Sequence, residues 1–330
     1  MLTFDSILGQ EQLKKQLQKA AGEGRPSHAY LIAGETGSGK RTVAKCFAKA
    51  LQCTGEGSRP CGKCQSCLQM EDGSQPDVIY IEPDEKDSIG VGTVRERIND
   101  DIIIKPYRGP YKIYLIQDAQ KMTVQAQNAL LKTLEEPPKY AVLLLLTSSV
   151  EQILPTIQSR SVRLSMQPLP DEIIKRHLMK NFQVPDYEAD TYVTFARGNL
   201  GRAIDLLKNE DFEADKEEAI ALLKSIDSAD FGELYLKAAA LGKEKNTAIL
   251  NFFYIWYRDA LCYKAMNQSE GLIFKEEIQY IKKVSREISY EGFEEIFAAL
   301  LKTQEMIRAN VNMETAMELL FVAIRDCRKE

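Results

Sequence analysis

The stretch that most constrains this chain is Gly34-Glu-Thr-Gly-Ser-Gly-Lys40, lying between the apolar run Ala29–Ala33 and the helical pattern VAKCFAKALQC that begins at Val43. A glycine-rich turn that leaves a strand and opens a helix aims its backbone amides, and the positive end of the helix, at one spot where an anion can sit. The phosphate-cradling pattern is Gly, four residues, Gly, Lys, then Ser or Thr. Gly34, Gly39 and Lys40 fit it and Gly37 adds a further glycine, but the next residue is Arg41, and the hydroxyl arrives one place late as Thr42. These six residues are the candidate nucleotide contacts. The reading they favour is a loop that holds nucleotide without hydrolysing it; a plain glycine-rich turn is the alternative.

Further apolar, β-rich runs at Val78–Ile81, 113–116 and 141–146 alternate with helical patterns. That alternation predicts a parallel sheet with crossover helices, an α/β domain over residues 1–165. Pro168 and Pro170 in MQPLPDE break the pattern and mark a boundary. Beyond it every periodic segment is helical: three short helices fall within 166–208, and after the acidic NEDFEADKEE stretch at 209–218 longer ones fill 209–330. The aromatic run FFYIWY at 252–257 spans six consecutive positions, which circle a helix and so predict burial among other helices rather than base stacking.

A working NTPase also needs a carboxylate on a later strand to hold its metal. That strand is KIYLIQDAQ, and Gln117 stands where the carboxylate is expected, with Asp118 directly after it.

Four cysteines, Cys53, Cys61, Cys64 and Cys67, fall within fifteen residues. Two-residue spacings let neighbouring thiolates converge on one ion, and a closed four-sulfur shell is structural rather than catalytic, so a Zn²⁺ module is expected at 53–67. The other three of the seven, Cys46, Cys262 and Cys327, lie singly on helical patterns, where a small buried hydrophobe is the default. Net charge is −5, which argues against nucleic-acid binding over the whole surface. No run of 18 apolar residues exists, and the first residues, MLTFDSILGQEQ, are acidic where a signal peptide would be basic. A cytoplasmic protein with no membrane partner is expected.

Ser159-Arg160-Ser161 precedes the β-like VRLS. Taken alone, an arginine there is a solvated charge or a local salt bridge.

Together FDSILGQEQ, HAYLIAGETGSGK, the cysteine cluster, QPDVIYIEP and DAQKMTVQAQNALLKTLEEPP followed by ILPTIQSRS resemble the AAA+ clamp-loader subunits of bacterial DNA polymerase III. The likeness is strong over residues 1 to 208 and LLKTLEEPP is its most specific part; the C-terminal helices agree only in length and helicity, with WYRDAL at 256–261 a weak echo. It implies a P-loop AAA+ α/β domain with a parallel sheet, a small helical lid domain and an all-α C-terminal collar domain. It implies a hetero-pentameric ring with motor (gamma/tau) and delta subunits, acting on the sliding clamp and on primer-template DNA through the complex. In such rings each ATP site receives an arginine from its neighbour's Ser-Arg motif, which here would be Ser159-Arg160. The second sensor arginine would be Arg202 in GNLGRAIDLL, and the first sensor position falls near Thr147. Motor subunits carry Lys-Thr or Lys-Ser in the loop and Asp-Glu on the later strand; this chain has Lys40-Arg41 and Gln117-Asp118. The expectation is a subunit of the polymerase holoenzyme with no ATPase of its own, binding ATP or ADP without turnover. The competing readings are an active motor ATPase and a zinc-dependent nucleic-acid reader, the latter poor because the cysteine cluster has only Arg59 and Lys63 as base-reading cations and no interleaved aromatics.

Overall fold

Along the strand Ala141–Thr147 successive side chains enter two different cores. Val142, Leu144 and Leu146 pack with Tyr30, Ile32, Val43 and Phe47. Ala141, Leu143 and Leu145 pack with Leu31, Tyr114, Ile116, Leu130 and Leu134. A sheet covered on both faces needs apolar residues at every position, which is why its strands read as unbroken hydrophobic runs. The computed structural model describes residues 1–226, 229–244 and 249–328. The chain divides into two units, one of Met1–Ala189 and Ala196–Ile204, the other of Asp190–Phe195 and Asp205–Glu330.

The first unit holds β1 (Ala29–Ala33), β2 (Val78–Ile81), β3 (Lys112–Ile116), β4 (Ala141–Thr147) and β5 (Val162–Ser165), in the order β2-β3-β4-β1-β5. All pairings are parallel. Helices α1 (Glu11–Gly22), α2 (Lys40–Gln52), α3 (Gln65–Glu71), α4 (Val91–Val94), α5 (Val124–Glu135), α6 (Pro155–Gln158) and α7 (Asp171–Phe182) precede β1, lie in the connections and follow β5. This is the α/β sheet with crossover helices that the strand runs predict. Thr123 caps α5 by accepting from the amide of Ala126 at 3.2 Å. After β5 the chain is tied back to its beginning: the Gln10 side chain donates to Gln167 O at 2.6 Å and accepts from Gln167 N at 3.0 Å.

Helices α8 (Asp186–Ala196) and α9 (Leu200–Lys208) follow, then α10 (Phe212–Ile226), α11 (Phe231–Glu244), α12 (Ile249–Met266), α13 (Ile278–Glu287), α14 (Tyr290–Arg308) and α15 (Met313–Asp326). In the second unit Phe252 of α12 packs against Phe195 and Phe212, with ring centroids 4.8 and 5.3 Å away. Phe252, Phe253, Ile255, Trp256 and Tyr257 are buried and Tyr254 is half-buried, as a run that circles a helix predicts. Asp259, fully buried on the same helix, accepts from the amides of Ile273 and Phe274 at 2.7 and 2.8 Å and pairs with Arg258 at 2.7 Å. Among the described residues no helix is long and apolar enough to cross a membrane.

Candidate functional site

The glycine loop leaves the C-terminal end of β1 and turns into α2, and two of its glycines have backbone angles that other residues rarely adopt, Gly37 with φ +84° and Gly39 with φ +90°. Lys40 is buried and its ammonium donates to the loop's own carbonyls, Gly34 O at 2.5 Å and Glu35 O at 2.8 Å. Burial holds its pKa below the ordinary lysine value, with Asp118 and Glu35 acting in the opposite direction. Arg41 pairs with Glu82, Nη2 to Oε1 2.8 Å. Thr42, the late hydroxyl, is exposed. Gln117 follows β3 directly; its amide donates to Ile81 O at 2.8 Å and its buried Oε1 has no hydrogen-bond partner among the described residues. Asp118 is left-handed, with φ 49°. Thr147, at the end of β4, is buried and donates to Ser149 O at 2.8 Å, while its carbonyl accepts from Gly34 N at 3.1 Å.

A segment far along the chain closes over this loop. The Asn199 side chain donates to Thr36 O at 2.8 Å and to Glu35 Oε2 at 3.4 Å, and Gly201 N donates to Gly37 O at 3.1 Å. Arg202 pairs with Glu35 at 3.1 Å. A Cβ on Gly201 would stand 2.5 Å from Gly37 Cα, so this approach requires glycine. The residues point to Arg202 here through resemblance alone; Asn199 stands in the same GNLGRAIDLL stretch and Glu35 inside the glycine loop, but neither occupies a position that the motif defines.

The four cysteines at the C-terminal end of α2 and the start of α3 converge. All four Sγ atoms lie within 4.8 Å of one another, and the Cys61–Cys67 and Cys53–Cys64 pairs are each 4.0 Å apart. Four sulfurs tetrahedrally bonded at about 2.3 Å stand about 3.8 Å from one another, so the set fits a metal with little movement. Backbone amides already point at the sulfurs: Cys61 N donates to Cys53 Sγ and Cys64 N to Cys61 Sγ, both at 3.3 Å. The amides of Lys63 and Cys64 hold the Cys61 thiol below its ordinary pKa. Burial works against Cys64, yet the amides of Cys67 and Thr54 bring it down to about 5, while burial pushes Cys53 and Cys67 up. Of the single cysteines, Cys46 and Cys327 are buried and Cys262 is half-buried.

Arg160 sits in the turn between α6 and β5. The turn is positioned by α5: buried Gln127 accepts from Leu154 N at 2.8 Å and donates to Gln152 O at 3.0 Å, and Gln158 donates to Val150 O and Ile153 O. Arg160 Nη2 pairs with Glu135 Oε1 at 2.8 Å and Nη1 donates to Thr156 O at 3.1 Å. The Ser159 hydroxyl donates to Thr156 O at 3.1 Å and lies 3.5 Å from Arg160 Nη1. The local salt bridge that the residues alone predict is therefore present, on a guanidinium whose side chain stays 37% exposed.

Residues 9–170 match the family model described as DNA polymerase III, delta subunit, and residues 214–324 match that described as DNA polymerase III, delta subunit, C terminal. The chain is 28% identical to the DNA polymerase III delta' subunit of Bacillus subtilis over 96% of each chain. It is 29% identical to the tau subunit of the same organism over 97% of its own length, but spans only 61% of that longer relative. A gamma subunit-related protein of Thermotoga maritima aligns with 95% of this chain at 21% identity and a TM-score of 0.41.

Proposed function

Because the chain belongs to the family of DNA polymerase III clamp-loader subunits, we propose that it acts as a delta-prime subunit that hydrolyses no ATP itself and lends Arg160 to a neighbouring motor subunit. The observation that carries the first half is the pair of replacements at the loop. Where hydrolysis needs an oxygen from the helix and a carboxylate from the strand to hold Mg²⁺, this chain has Arg41, turned to Glu82, and Gln117. The glycine loop and Lys40 remain, so ATP or ADP is held by residues 34–42 and Arg202 without turnover.

The second half follows from what a guanidinium offers. It carries a permanent charge and several donors in a fixed plane, so it can follow the negative charge that builds on a γ-phosphoryl group. Arg160 is half-exposed on a turn braced by Gln127 and Gln158, and Ser159 beside it helps to orient it. We assign residues 1–165 to the AAA+ domain, 166–208 to the lid and 209–330 to a collar that joins gamma/tau and delta subunits in a hetero-pentameric ring in the cytoplasm. The sliding clamp and primer-template DNA are reached through that complex, and Zn²⁺ on Cys53, Cys61, Cys64 and Cys67 is structural.

A tau-like motor is the second reading, favoured by a sequence identity to that relative as high as to delta'. Phosphate release from ATP, measured on the isolated chain and on the chain reconstituted with motor subunits, separates the two. No turnover alone, with normal turnover in the complex, is expected. Sustained turnover by a preparation free of motor subunits, abolished by Lys40→Ala, would make the chain a motor.

A further inference from the structure

Glu82 follows β2 and Gln117 follows β3, and these two strands are neighbours whose ends align, Ile81 opposite Ile116. Helix α2 lies across this part of the sheet, with Lys45 Nζ 5.4 Å from the centre of the Tyr80 ring. Arg41, in its first turn, brings its guanidinium to Glu82, the residue after β2, whose strand end is aligned with that of β3. This is the region where a motor subunit of this fold keeps its divalent cation, held between a hydroxyl from the helix and a carboxylate from the strand.

The residues do not fit that cation. The helix position presents a positive charge where Mg²⁺ requires an oxygen, and the strand position presents the neutral amide of Gln117. The next hydroxyl, on Thr42, is one place further along the helix and exposed. The same residues do fit a phosphate: two left-handed glycines, a helix N-terminus, a buried lysine hydrogen-bonded to two loop carbonyls, and a guanidinium one residue later.

We infer that Arg41 replaces the divalent cation, so that a nucleoside di- or triphosphate binds this loop with its terminal phosphates neutralised by the guanidinium and with no need for Mg²⁺. This rests on the reading that the loop holds nucleotide. Glu82 keeps the side chain in place when no phosphate is bound. Both groups are 49% exposed, and an ion pair so hydrated is weak enough for the guanidinium to leave it for a phosphate that can accept two parallel hydrogen bonds.

The test is titration of the full chain with ADP carrying a fluorescent ribose label, in buffer with millimolar Mg²⁺ and in buffer stripped of divalent cations by a chelating resin, which spares the cysteine centre. The two dissociation constants are expected to agree within about twofold. Arg41→Thr is expected to weaken binding about tenfold or more in the metal-free buffer, and Arg41→Lys to weaken it less. Equal melting temperatures would show that the variants are folded. Wild-type binding that falls tenfold on removal of Mg²⁺ overturns the inference and leaves nucleotide binding intact. An absence of saturable binding in both buffers overturns nucleotide binding itself, and the inference with it.

Discussion

Arg160 Nη2 lies 2.8 Å from Glu135 Oε1, so the guanidinium proposed to serve a neighbouring ATP site is held by a carboxylate at the end of α5. Both side chains are substantially exposed, and such pairs contribute about 0–1 kcal/mol. On the proposed reading, Glu135 is a resting partner that a developing phosphoryl charge can outcompete. In a reconstituted complex, Arg160→Ala should lower DNA- and clamp-stimulated ATPase by at least about tenfold, a modest demand beside the roughly 10³ to 10⁵ known for arginine fingers in GTPases. Glu135→Ala should leave turnover within about twofold of wild type. Equal ATPase rates for Arg160→Ala and wild type, at matched assembly, would return the residue to an ordinary surface charge.

The cysteine centre should hold about one Zn²⁺ per chain. Thiolate ligation draws its ligands from the end of α2 and the start of α3, so loss of the metal should loosen residues 53–70 and leave the sheet, whose core is formed elsewhere, in place. Metal analysis and hydrogen exchange after treatment with a strong chelator check both parts. Much less than one zinc in the purified protein, or loss of protection in β3 and β4 on its removal, contradicts this account.

Gly201→Ala tests the closure of the 199–202 segment over the glycine loop. The added methyl would meet Gly37 Cα at 2.5 Å, backbone against backbone, so one side of the contact has to move. Overpacking of this kind costs about 1–3 kcal/mol, and the shift falls directly on the glycine loop. Lower stability in urea together with weaker binding of labelled ADP is expected. A variant equal to wild type in both would show that the segment does not brace the loop.

In the second unit, Asp259→Ala should destabilise by about 2–4 kcal/mol, because it leaves Arg258 without its carboxylate partner and strips the acceptor from two amides at residues 273 and 274. Asp259→Asn keeps one acceptor and should lose less. Denaturant unfolding of the two variants gives the comparison; equal losses would mean that the charge matters and the hydrogen bonds do not.

Much of the local architecture is legible in the residues alone. Strands β1, β3 and β4 are buried along their whole length, and apart from Lys112 at the start of β3 and Thr147 at the end of β4 they read as unbroken hydrophobic runs; the glycine turn takes positive φ at Gly37 and Gly39; and the four cysteines fall within fifteen residues, so a short loop can bring them together. These are contacts between near neighbours, or demands made by burial on both faces, and they leave patterns in the residues themselves. Arg41 and Gln117 are equally visible, since each occupies a position that a motif defines. Their surroundings are not. Glu82, Glu135, Asn199 and Gln127 lie inside stretches that carry the family likeness, but at no position to which a motif gives a role, and each acts by meeting a residue that only the folded chain brings near: Glu82 meets Arg41 from the end of β2, and Asn199 meets Thr36 across 163 residues of sequence. Asp259 likewise looks like any charged residue on a helix until burial makes it the acceptor for two amides. A sequence records which side chains a local geometry demands. Which distant group completes a hydrogen bond or neutralises a charge is decided by packing, because the cost of leaving that group unpaired arises only once the surrounding structure has excluded water.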